Sequence, residues 1–150
     1  MSSPEGRSDP IRRVRLTWTG RSDVFEGTAG GQPITLDSDG VEGPSPTQAL
    51  LLSLAGCMAV DVRMILEKSR VPLTALEVEV AGRRAEKPPR RFLAIDLTFR
   101  LTGPTEANRK RIDRAVQLSR DRYCSVMHSL APDIAIGIDV LLETPAGAAP

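Results

Sequence analysis

The segment from Pro46 to about Ser69 constrains this chain more than any other. Ser45 is a good N-cap, Pro46 suits the first helical position, and Val71-Pro72 stops the run. Only Gly56 interrupts it, and a single glycine is tolerated in a helix. About 24 residues at 1.5 Å each give a helix of about 36 Å, the width of a small domain. From Ala49 to Val60 the sequence is apolar on nearly every side, so this half demands burial all round. Beyond it, Arg63, Glu67, Lys68 and Arg70 give the helix a solvent side. Whatever fold forms must be built around this element.

The flanking segments supply the layers to cover it. Val14 to Thr19 alternates, with Val14, Leu16 and Trp18 on one side, as a half-buried strand does. Val24 to Thr28 and Ile34 to Asp37 come next, across turns at Gly20-Arg21-Ser22-Asp23 and Gly30-Gly31, completing a three-stranded meander. After the long helix, Leu76 to Val80 and Phe92 to Leu101 form an antiparallel hairpin across a charged, proline-containing loop. Its second strand offers Leu93, Ile95, Leu97, Phe99 and Leu101 on one face, and that face needs a partner. Thr105 to Arg122 predicts a second helix with the stripe Ile112, Ala115, Val116 and Leu118. Cys124 to Leu130 predicts one or two further helical turns, and Ile134 to Leu142 a closing strand. The fold class is α+β: a mostly antiparallel sheet laid against helices. A single domain is expected over residues 11–143, between flexible tails at 1–10 and 144–150.

Bulk properties exclude several functions. A net charge of +1 gives no electrostatic case for nucleic acid or an anionic membrane. The longest apolar run, Ala49 to Val60, is interrupted by Ser53 and ends at Asp61, short of the roughly 20 residues of a membrane span. Residues 1–10 have no apolar core of a secretory signal, so a cytoplasmic location is the expectation. There two cysteines are free thiols, a redox pair or metal ligands before they are a structural disulfide. Phosphate-binding loops of the G-x-x-x-x-G-K-[ST] type, G-x-G-x-x-G, C-x-x-C and H-E-x-x-H are all absent, and no cofactor is expected.

The chemistry therefore rests on Cys57 and Cys124. Cys57 lies within the apolar half of the long helix. As a packing residue it is a small hydrophobe; as a nucleophile it must ionise. Its helix neighbours Ser53 and Asp61 bring no positive charge, so activation must come from elsewhere in the fold or from a second subunit. Cys124 lies just beyond the second helix, near Arg120 and Arg122, and is either a packing residue or a second thiol for Cys57. His128 stands one helical turn later, but Cys57, Cys124 and His128 lack compact ligand spacing, so no metal is expected.

Gly43-Pro44-Ser45-Pro46, the leucine-rich helix to Ala55-Gly56-Cys57, and the late Tyr123-Cys124-Ser125-Val126 resemble the OsmC/Ohr superfamily of thiol peroxidases. The resemblance covers roughly residues 14–143. The run Ala55 to Val62 looks more like the OsmC-like branch than the organic hydroperoxide reductases. It implies an OsmC-like fold, with an antiparallel sheet packed on a long central buried helix, in an intertwined homodimer with active sites at the interface. It implies that Cys57 attacks an organic hydroperoxide and that Cys124 resolves the product, with an external dithiol as reductant. In the well-studied members a glutamate follows the proline that starts the helix and pairs with an activating arginine. Here Thr47 stands there and Gln48 comes next; Arg21, in the turn after the first strand, is the nearest match to the arginine. Thr47, Gln48 and Arg21 are thus candidate activating residues. The alternative is a non-peroxidase OsmC-like dimer, a small-molecule binder or thiol redox sensor.

Overall fold

The structure, a computed structural model, describes residues 10–145, so most of both expected tails lies outside the described residues. Within the expected span 11–143 the chain forms two compact units, dividing between Ala49 and Leu50.

The first unit is the expected meander: β1 (Val14–Trp18), β2 (Val24–Ala29) and β3 (Gln32–Asp37), antiparallel throughout. Gly30 and Gly31 join β2 to β3, both at positive φ (56° and 77°). That is the two-residue hairpin turn whose twist matches the strands, and glycine adopts it without steric cost. After β3 the chain loops back under the control of one side chain. The buried Asp37 carboxylate accepts the backbone N–H groups of Asp39, Val41 and Glu42 at 2.9, 3.1 and 3.0 Å. Gly43 then passes so close to the Thr35 carbonyl that a Cβ there would run into it. The alternation of β1 is present, but Val14, Leu16 and Trp18 stand exposed, not half-buried as expected.

The second unit begins within the long helix, α1 (Pro46–Lys68), close to its expected limits. A capping box starts it: the Gln48 N–H donates to Ser45 Oγ, and the Ser45 N–H donates to Gln48 Oε1 at 2.9 Å. Leu54, Met58, Val62 and Leu66, one turn apart, form its buried stripe. All-round burial is not reached within one chain: beside that stripe Ala55 is buried, and Leu51, Cys57 and Ile65 are half-buried. Leu50, Leu52, Val60 and Met64 remain exposed. By length and composition α1 also meets the requirement for a membrane span that the unbroken apolar run falls short of, a test that core helices pass too.

The covering layer is a three-stranded sheet ordered β4 (Ala75–Arg84), β5 (Phe92–Thr102), β6 (Ala135–Glu143). β4 and β5 pair antiparallel from Ala75↔Thr102, but the register slips where Arg83 faces Ala94 and Arg84 faces Phe92. Leu93 is the surplus residue of this bulge. It stays half-buried while Phe92 turns inward beside Ile95, Leu97, Phe99 and Leu101. β6 pairs parallel to β5, because the chain crosses over through two helices before it returns.

The first of these helices begins with a 3₁₀ turn (Glu106–Asn108) and continues as α2 (Arg109–Leu118). Ile112, Ala115 and Val116 are buried as expected; the next inward position belongs to Ser119, and Leu118 is half-buried. The α-helix does not run on to Arg122. Ser119–Tyr123 widens into a π turn, closed by the Cys124 N–H donating to the Ser119 carbonyl at 2.8 Å. A short helix, α3 (Ser125–Ser129), comes after it.

Candidate functional site: a pair of neighbouring thiols

Cys57 lies on α1, one residue before the buried Met58, and is half-buried. Cys124 is completely buried between the π turn and α3. Its backbone is extended (φ −73°, ψ 99°), and its sulfur accepts the Met127 N–H at 3.3 Å. Cys124 is therefore the N-cap of α3, a place usually held by serine, threonine, aspartate or asparagine. The wide turn and the short helix together set Cys124 beside Cys57, whose sulfur is influenced by Cys124 and by the adjoining Ser125.

Their surroundings push the two in opposite directions. Partial burial opposes ionisation of Cys57. The backbone N–H of Val126, the Cys124 thiol and the Ser125 hydroxyl outweigh it and hold Cys57 below the ordinary thiol range. The Ser125 Oγ lies 3.8 Å from the Cys57 sulfur. Cys124 is pushed up to about 11, first by burial, with the Met127 N–H opposing and Cys57 adding to the rise. Cys57 is thus the thiol that ionises first, and Cys124 is the one that keeps its proton. Such a pair presents one nucleophilic sulfur with a protonated thiol beside it, which is the composition needed to form an internal disulfide after oxidation.

The neighbouring polar contact is Asp61, one helical turn beyond Cys57. Its Oδ2 accepts the hydroxyl of the buried Ser119 at 2.8 Å. The negative charge of Asp61 disfavours ionisation of both thiols. In the sequence Asp61 stands out only as a neighbour lacking positive charge, and Ser119, Ser125 and the Val126 N–H pass unnoticed. Ser119 was detectable as a hydroxyl extending the apolar stripe of α2.

The other candidates are engaged in their own surroundings. Arg21 Nη1 donates to Glu42 Oε1 at 2.9 Å in the first unit. Gln48 serves the cap of α1, and the Thr47 hydroxyl lies 3.3 Å from Ser45 Oγ. His128 is exposed, and its backbone N–H donates to the Cys124 carbonyl at 3.1 Å. Among the described residues no three His, Cys, Asp or Glu side chains gather into a metal-holding group.

The fold and site define an α+β protein with a thiol pair held between a long helix and a wide turn. The family model described as OsmC-like protein matches residues 37–139, which include both cysteines. Protein YhfA of Escherichia coli K12 is 36% identical over 115 residues, covering 76% of this chain and 85% of its own. The chain belongs to the OsmC-like family. An OsmC-like protein from Mycoplasma pneumoniae has the same fold, with a TM-score of 0.78 at 20% identity over 89% of this chain and 98% of that one. So does an organic hydroperoxide resistance protein from Elizabethkingia anophelis, with a TM-score of 0.64 at 12% identity over 91% and 99%.

Proposed function

We propose that this chain is a two-cysteine peroxidase for organic hydroperoxides. The observation that carries the reading is the pairing of two neighbouring thiols of opposite character, Cys57 pushed below and Cys124 above the ordinary thiol range, with the Ser125 hydroxyl 3.8 Å from the Cys57 sulfur. The Cys57 thiolate attacks the terminal peroxide oxygen, the O–O bond breaks, and the alkoxide leaves with a proton as alcohol. Cys57 is then a sulfenic acid. The Cys124 sulfur displaces its hydroxyl, which leaves as water with the thiol proton, and an internal disulfide forms. An external dithiol reduces that bond by exchange and becomes a disulfide itself. Exposed apolar side chains near Cys57, Val60 among them, favour an alkyl-bearing peroxide over hydrogen peroxide.

The proposed working form is a homodimer in the cytoplasm, with its sites at the interface. Leu52 (62% exposed) and Val60 (55%), each four residues from Gly56 along α1, support this reading. No Cβ at Gly56 would meet anything within one chain, so a second helix can approach closely there. Light scattering should give twice the chain mass, and Val60→Glu should give a monomer.

The catalytic reading is tested by adding one equivalent of cumene hydroperoxide and following mass and free thiols. Both thiols should be lost to a Cys57–Cys124 disulfide, and Cys57→Ser should abolish turnover. Survival of both thiols would sink it. A second reading, a thiol redox sensor without peroxidase turnover, is favoured by Thr47 and Gln48. They stand where the well-studied relatives carry a carboxylate, and they bond within the cap of α1. A sensor would form the disulfide once, with no sustained consumption of peroxide in the presence of a dithiol.

A further inference from the structure

The hydroxyl of Ser119 is buried and bonded to Asp61, while the carbonyl of the same residue closes the wide turn onto the Cys124 N–H. Asp61 in turn shares a face of α1 with Cys57, one turn away. One residue therefore links the helix that carries one thiol to the turn that carries the other. We propose that Asp61 and Ser119 are positioning residues: their hydrogen bond clamps the wide turn to α1 and holds Cys124 within bonding reach of Cys57. This deepens the peroxidase reading but rests only on its disulfide step.

Geometry separates two roles within the clamp. The bond needs an acceptor at residue 61 and a hydroxyl at residue 119, but no charge. The charge of Asp61 acts separately, since a carboxylate near Cys57 opposes its thiolate, while the Val126 N–H, the Cys124 thiol and the Ser125 hydroxyl favour it. The two effects are separable by substitution. Asn at residue 61 keeps an acceptor and removes the charge; Ala removes both; Ala at residue 119 removes the bond and leaves the charge.

The test uses diamide, which takes two electrons and two protons from the thiol pair, becomes the hydrazine, and leaves a disulfide without any peroxide step. Ser119→Ala should close the disulfide roughly fivefold more slowly, the loss expected for one ordinary hydrogen bond. The pH midpoint for alkylation of Cys57 should move up, because the Cys124 thiol that favours its thiolate is no longer held beside it. Asp61→Asn should close near the wild-type rate while its alkylation midpoint moves down. Asp61→Ala should close slowly, with a midpoint above that of Asp61→Asn, because it loses the clamp as well as the charge. Because Ser119 is buried, its variant could lose its fold, and the Asp61→Asn and Asp61→Ala pair then decides alone. The clamp is overturned if Asp61→Ala closes as fast as Asp61→Asn, or if folded Ser119→Ala closes at the wild-type rate. A wild-type protein that diamide cannot close overturns both the clamp and the peroxidase reading. A wild-type protein that diamide closes but hydroperoxide leaves untouched overturns the peroxidase reading alone.

Discussion

The two sheets read alike as sequence and differ as structure. β1 and β5 both alternate apolar and polar residues, yet β5 buries Ile95, Leu97, Phe99 and Leu101 completely or nearly so, while Trp18 on β1 is 58% exposed. Alternation states which side chains share a face. It says nothing about what lies over that face. β5 has α1 and α2 contributing to the same core, whereas the meander shows its apolar stripe to whatever surrounds the chain.

Substitutions can break or sharpen this contrast. Phe99→Ala should have the largest effect, destabilising the protein by about 3–5 kcal/mol in urea unfolding, because it leaves a cavity among fully buried neighbours. Asp37→Asn should cost less and should depend on pH. The N–H groups of Glu42 and Asp39 lead in holding that carboxyl below the ordinary range, against the effect of burial. A lowered folded value means the ionised form stabilises the loop fully above the unfolded value, about 3.9, and ceases to as pH falls through the folded one. The stability gap between Asp37→Asn and wild type should therefore be widest near neutral pH and close in acid. Trp18→Ala should have the smallest effect, within about 0.5 kcal/mol in dilute protein, as expected for an uncovered surface residue. A cost that grows with protein concentration would show instead that a partner covers the meander.

Legibility in the sequence divides along the same line. The order of elements and the limits of α1 come from caps, turns and periodicity, all of which are local. The inward turn of Phe92 in place of Leu93 was not legible, because a bulge is set by strand pairing. The wide turn at Ser119–Tyr123 was hidden because nothing in Ser-Arg-Asp-Arg-Tyr forbids a normal helix. The parallel pairing of β6 depends on how the crossover packs. At the site, both cysteines stood out by residue type. Their donors did not, because backbone N–H groups and serine hydroxyls are everywhere in a sequence and become specific only through placement.

The wide turn also has a counting consequence. A π turn is an α-helix carrying one surplus residue, so it works as a phase adjuster between α2 on one side and α3 on the other. Remove any one residue from 119–123, and an ordinary helix could run on while everything beyond rotates by about 100° about its axis. Cys124 would leave its mark on the dial, and the thiol pair with it. The spacing of this stretch is thus as much a part of the site as the sulfur atoms, and a gap there in a related chain would matter more than a change of side chain.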